Sequence, residues 1–202
     1  MQESIILDIA RKNNGYITRS ELKSKNISPK ILTRMVEKGL LERVDRGVYF
    51  DAMNDGFEDS YYIFQLRYPS TIYSHFTALH FHGLTEKIPY RKDITVANKR
   101  GKKYFSGYNV YYVSSKEKLE LGVEKVLTEY GNYVNCYDIE RSICDIIKSI
   151  GRQDVEQVKK VLKAYSNSLN FSKLRKYATK LNVYEKVMEY IGRYVEWWRL
   201  KA

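Results

Sequence analysis

The chain has 202 residues, with 35 Lys and Arg against 24 Asp and Glu, a net charge of +11 and an isoelectric point near 9.4. That length allows a small N-terminal module and one larger domain with its own core, and the positive balance favours a polyanionic partner. No apolar run approaches the ~20 residues that cross a bilayer, and Cys136 and Cys144 have neither a CxxC partner nor a nearby histidine, which argues against a zinc site and a disulfide framework.

Met1-Gln2-Glu3 leads straight into a helical pattern without the apolar core of a signal peptide. Two thiols kept reduced fit a cytoplasmic protein. Neither a metal nor a cofactor is expected.

Three short amphipathic stretches open the chain: Ile5–Lys12, Thr18–Lys25 and Ser28–Lys38. Thr18 with Glu21 has capping-box spacing. Ser28-Pro29 reads as an N-cap followed by proline at the first helical position, and Gly39 as the left-handed stop. Within the third stretch Ile31, Leu32, Met35 and Val36 share one face, leaving Lys30, Thr33, Arg34, Glu37 and Lys38 on the other. Leu40–Phe50 then has the pattern of a β-hairpin with Asp45-Arg46-Gly47 at its turn.

Three helices followed by a hairpin predict a winged helix-turn-helix over residues 1–56. The candidate DNA-binding residues are Arg19, Lys23, Ser28, Lys30, Thr33, Arg34, Lys38, Arg43 and Arg46. Arg19, Lys23, Arg43 and Arg46 are placed for phosphates, and Lys30, Thr33 and Arg34 for base edges.

Residues 51–63 hold Asp51, Asp55, Glu58 and Asp59 and no base. With Asn54-Asp55-Gly56 they read as a linker, so the second domain is expected at 57–202. It is expected to be mixed α/β, ending in a helical bundle, which makes the whole chain α+β. Tyr61–Tyr68 and Ser74–His82 read as helices, Asp93–Val96 and Val110–Val113 as strands. Gly122–Thr128 and Tyr133–Tyr137 read as a hairpin about Tyr130-Gly131-Asn132, with a helix over Leu119–Tyr130 as the alternative. From Asp138, an N-cap, the pattern is helical throughout: Ile139, Ile143, Ile146, Ile147 and Ile150 recur at helical spacing before Gly151, and the last stripe ends at Val195 and Trp198.

The second domain is itself basic: residues 85–118 carry nine bases against three acids, and 148–180 nine against two. The turn containing Lys99, Arg100, Lys102 and Lys103 is either a solvated turn or an additional contact to the DNA backbone. His75, His80 and His82 fall in one segment, but only His75 and His82 share a helical face and no acid stands at ligand spacing. Core or cap roles are therefore expected for them. Glu140, Arg141 and Asp145 form either a structural network or part of a functional surface; Arg141 and Asp145 have the spacing of a helical ion pair. Asp93 and Lys99 lack the paired carboxylate of a nuclease motif, so no catalytic residue is assigned. A nuclease or an RNA-binding second domain is the alternative function, the nineteen tyrosines being available to stack on bases.

Two segments narrow the function. Ser74-His75-Phe76-Thr77-Ala78-Leu79-x-x-His82-Gly83-Leu84 and Tyr137-Asp138-x-Glu140-Arg141-x-Ile143-Cys144-Asp145 occur behind Gly15-Tyr16-Ile17-Thr18-x-x-Glu21-Leu22 and Gly39-Leu40-Leu41-x-Arg43-Val44-x-Arg46-Gly47-Val48-Tyr49. In this order the chain resembles the AbiEi family, the antitoxins of type IV abortive-infection toxin–antitoxin systems. The final helices resemble the family in layout only. The resemblance implies a protein that represses its own operon at inverted repeats in the promoter. It also implies neutralisation of a nucleotidyltransferase toxin, through the C-terminal domain and without a stable complex. Double-stranded promoter DNA and that toxin are the implied partners, and no membrane is involved.

Overall fold

The structure, a computed structural model, describes residues 2–86, 89–97, 105–166 and 170–194. The basic turn with Lys99, Arg100, Lys102 and Lys103 lies outside the described residues, as do Val195 and Trp198. The chain is α+β and divides into two compact units, Met1–Ser70 with Leu127–Val134, and Thr71–Val126 with Asn135–Ala202.

The first unit runs α1 (Gln2–Lys12), β1 (Tyr16–Thr18), α2 (Arg19–Ser24), α3 (Lys30–Glu37), β2 (Leu41–Asp45), β3 (Val48–Asp51) and α4 (Ser60–Arg67). Its antiparallel sheet has the order β1-β3-β2. Ile6 and Ala10 of α1, Leu22 of α2, and Ile31, Leu32 and Met35 of α3 bury their faces against Ile17, Leu41 and Tyr49. Thr18 and Glu21 cap each other's backbone as their spacing predicts. Ser28 differs from expectation. Pro29, not Ser28, precedes the first helical residue of α3, and no side chain caps it. Pro29 already has helical dihedrals, so the Ser28 carbonyl accepts from Ile31 N–H at 3.2 Å and does the work expected of its hydroxyl.

The boundary expected after residue 56 falls instead after Ser70, because α4 belongs with the sheet. Ile63 of α4 packs with Tyr16, Val48 and Phe50. Fully buried Asp59 caps α4 at Tyr61 N–H and Tyr62 N–H, 3.0 Å each, and its other oxygen accepts from Thr128 Oγ1 at 2.6 Å and Asn132 Nδ2 at 2.9 Å. Asn14 Nδ2 reaches Asn132 Oδ1 at 2.9 Å. Residues 127–134 are thus stitched into the first unit by polar side chains.

The elements after Ser70 are β4 (Ile72–Tyr73), α5 (His75–Phe81), β5 (Asp93–Val96), β6 (Asn109–Tyr112), α6 (Lys116–Glu120), β7 (Val123–Leu127), β8 (Tyr133–Tyr137), α7 (Ile139–Lys148), α8 (Val155–Tyr165), α9 (Phe171–Lys180) and α10 (Tyr184–Tyr194), all of the second unit except the end of β7 and the start of β8. The sheet order is β6-β5-β4-β8-β7, with β5–β6 and β4–β8 parallel and β4–β5 antiparallel. The hairpin reading of 122–137 holds; the helix there is only α6, five residues long and capped by Ser115. Asp138 caps α7 through Arg141 N–H, as expected. The core joins Ile143, Ile146 and Ile147 of α7 to Leu79 of α5, Val158 and Leu162 of α8, Leu174 of α9, and Val187 and Ile191 of α10. Among the described residues no helix is long and apolar enough to cross a membrane.

Candidate nucleic-acid interface

All nine side chains singled out for DNA contact are exposed, and all belong to the first unit. Arg19 and Lys23 stand on α2, Ser28 just ahead of α3, Lys30, Thr33 and Arg34 on α3, Lys38 at its C-cap, Arg43 on β2 and Arg46 in the hairpin turn. α3 separates them cleanly: Ile31, Leu32 and Met35 are buried, whereas Lys30, Thr33 and Arg34 face solvent. Gly39 (φ +68°) ends the helix, with Leu40 N–H donating to the Met35 carbonyl at 2.9 Å.

The hairpin turn is anchored to the start of α2. Arg19 N–H donates to the Gly47 carbonyl at 3.0 Å, and Gly47 (φ +81°) takes the left-handed conformation the turn requires. Asp45 Oδ1 accepts from Arg46 N–H and from Arg67 Nη1, both at 2.6 Å. A cleft of about 250 Å³ results, in which Arg19, Arg46 and Arg67 meet the hydroxyl residues Thr18 and Ser20. Arg67 and Ser20 were not among the expected contact residues. Arg67 lies on α4, which the sequence assigns to the other domain, and only the sheet packing brings it here.

One expected contact residue is already engaged. Lys38 Nζ lies 2.7 Å from Glu3 Oε1, and its ammonium holds the Glu3 carboxyl below the usual carboxylate range. Among the described residues Arg19, Lys23, Lys30, Arg34, Arg43 and Arg46 have no such ion pair, which leaves their charge available to an incoming polyanion.

In the second unit the three histidines have three separate partners. His75 is buried, stacks on Tyr111 at 3.4 Å between ring centroids and shares a 2.9 Å hydrogen bond with Ser74 Oγ. His80 Nδ1 is 3.2 Å from the Thr85 carbonyl, and His82 Nε2 is 2.8 Å from the Tyr137 carbonyl. Among the described residues no group of His, Cys, Asp and Glu is arranged to hold a metal ion.

Glu140, Arg141 and Asp145 are all buried, so of the two roles left open for them the surface role is excluded. Arg141 Nε donates to Asp145 Oδ2 at 3.0 Å, and Nη1 donates to the carbonyls of Lys118 and Leu121 at 2.6 and 2.8 Å. Lys173 Nζ bridges Asp138 and Glu140 at 3.1 and 3.0 Å. This is a structural network joining α6, α7 and α9. Both cysteines are free and buried, and burial pushes their thiols up, away from nucleophilic use.

Residues 4–49 match the family model described as "Transcriptional regulator, AbiEi antitoxin". No curated protein matches the chain. Among solved structures, the RV2827C protein from Mycobacterium tuberculosis has a similar fold, with a TM-score of 0.65 at 11% sequence identity, covering 96% of this chain and 77% of that one. The match at 4–49 takes in α1 through the hairpin turn, the elements that carry the nine exposed side chains and end at the basic cleft. That segment is therefore similar to the transcriptional regulators of the AbiEi antitoxin family.

Proposed function

We propose that the protein is a type IV antitoxin that represses its own operon. The first unit acts as a winged helix-turn-helix, with α3 in the major groove and the β2–β3 hairpin as the wing. The observation that carries this reading is the two-sided chemistry of α3, apolar and buried at Ile31, Leu32 and Met35, cationic and exposed at Lys30 and Arg34. Lys30, Thr33 and Arg34 contact base edges at inverted repeats in the promoter. Arg19, Lys23, Arg43 and Arg46 hold phosphates.

The second unit neutralises a nucleotidyltransferase toxin in the cytoplasm without retaining it in a stable complex, as part of abortive defence against phage. This half of the proposal is supported by the family match of the N-terminal segment and by the Ser74–Leu84 and Tyr137–Asp145 motifs.

The full-length chain is expected to retard DNA from upstream of its own gene at concentrations where random DNA stays free. Co-expression with a nucleotidyltransferase encoded beside it should relieve that enzyme's growth arrest. Equal retardation of random DNA would overturn the operator reading, and failure of rescue would overturn the antitoxin reading.

A further inference from the structure

The second unit holds a cavity of about 350 Å³ that neither proposed activity uses. Its walls include Phe76 and Pro89, with Tyr90 at the mouth and the amides of Asn109 and Gln157 within reach. Asp93, at the start of β5, lines it and is only 3% exposed. Its carboxylate accepts from Phe76 N–H at 3.1 Å and from Asn109 Nδ2 at 2.9 Å, and the Thr77 N–H also favours its charged form. The donors are neutral, and none of the ion pairs among the described residues reaches it. A carboxylate buried this way has only Arg152, acting at longer range, in place of the paired countercharge that normally accompanies burial.

We propose that this cavity binds a small organic cation, an ammonium or guanidinium head on an apolar body, with the head on Asp93. The carboxylate has about four acceptor sites and three donors already act on it, which leaves one for a donor of a cationic head. Phe76 and Pro89 offer the apolar wall that the body needs, and the volume is in the range of small-molecule sites. Tyr90 is 99% exposed, so its ring is free to close over the cation.

Burial pushes the Asp93 carboxyl up to about 6, despite the hydrogen bonds that favour its charged form. The other charged or titratable groups around it are Arg91 before β5, Tyr111 on β6, Arg152 and Asp154 ahead of α8, and His75 on α5. Arg91, Arg152 and Asp154 are exposed, where solvent and salt screen them, and His75 is held neutral by burial. Asp93 therefore dominates the pH response of the cavity, and a bound cation should draw a proton off it.

The test is calorimetric titration of the full-length protein with phenethylamine and agmatine, with phenethyl alcohol as the neutral comparison. One saturable site is expected for the amines, with affinity falling by about tenfold per pH unit below about pH 6 and level above about pH 7. Proton release near pH 6 should appear as a dependence of the heat on the buffer's ionisation enthalpy. Asp93→Asn should lower amine affinity by at least about tenfold at neutral pH, and Tyr90→Ala by about three- to tenfold. Should Asp93→Asn fail to fold, the pH profile and Tyr90→Ala decide the matter, since an exposed tyrosine supports no core. Equal affinity for the alcohol, a flat pH profile, or no saturable binding by either amine would overturn the proposal.

Discussion

The guanidinium of Arg141 lies 4.0 Å from the centroid of the Tyr137 ring, and the Tyr137 hydroxyl donates to the Leu119 carbonyl 2.9 Å away. Arg141 itself holds the neighbouring carbonyls of Lys118 and Leu121. One buried cation on α7 therefore gathers the carbonyls at the end of α6, where the helix dipole is negative. Gly122 lets the chain pass: it has φ +78°, and a Cβ there would come within 2.8 Å of the Arg141 Cβ.

Removing one partner of such a pair should cost more than removing both. Arg141→Ala is expected to destabilise the protein by about 3–5 kcal/mol, leaving Asp145 buried without a cation. The double variant Arg141→Met, Asp145→Leu should recover much of that loss. Urea unfolding of the two variants provides the measurement.

Protonation of His75 should oppose folding. Burial first, and then the cations Arg141, Arg152 and Lys148, hold it well below its ordinary 6.5. A base whose folded-state value is lowered contributes stability that is present above pH 6.5 and lost as the pH falls. Below 6.5 the loss should approach about 1.4 kcal/mol per pH unit. His75→Gln should flatten that slope in urea titrations.

Asp93 acts in the opposite sense. Its value is raised from 3.8 to about 6, so its contribution favours the folded state below about pH 4 and is lost as the pH rises to 6. Stability of Asp93→Asn relative to the parent should therefore rise across that window, by about 3 kcal/mol if the whole shift is expressed. An unchanged difference between pH 4 and 7 would contradict the buried, uncompensated carboxylate.

Asp59 should be among the costliest substitutions in the first unit. Asp59→Ala leaves Thr128, Asn132 and two helix N–H groups without their acceptor. A loss of about 3 kcal/mol or more is expected, since hydrogen bonds to a charged group contribute about 1.5–3 kcal/mol each and the bonds from Thr128 and Asn132 are buried. Hydrogen exchange should show α4 and residues 127–134 losing protection together.

For DNA binding, Arg34→Ala should reduce discrimination between operator and random sequence by about 1–3 kcal/mol, whereas Arg46→Ala should weaken both alike. Lys38→Ala should matter little while Glu3 neutralises it. Glu3→Gln should release that lysine and steepen the log–log salt dependence by about 0.9 if it then meets a phosphate. Retardation assays over a range of salt read all three.

What could be read from the sequence followed how local the cause was. Thr18 with Glu21, Gly39, and Asp45-Arg46-Gly47 state their roles within a few positions, and Asp138 caps α7 for the same reason. β1 was missed because its three residues are all buried by pairing with β3, Tyr16 opposite Phe50, and nothing in Tyr-Ile-Thr alternates. The boundary went astray because Asn54-Asp55-Gly56 reads as a linker, while the evidence against it lies 69 and 73 residues away from Asp59, at Thr128 and Asn132. The exposed cationic face of α3 was legible from helical spacing alone. Arg67 in the basic cleft was not, since only packing brings α4 to the hairpin.

The return of residues 127–134 to the first unit bears on how the protein is made. A nascent chain that has emerged only to Ser70 has the sheet and its helices, but Asp59 still lacks Thr128 and Asn132. At about 5–20 residues per second the ribosome needs several more seconds to supply them. The first unit is thus completed late in synthesis, after much of the second unit has left the ribosome, and truncated translation products should lack a fully formed one.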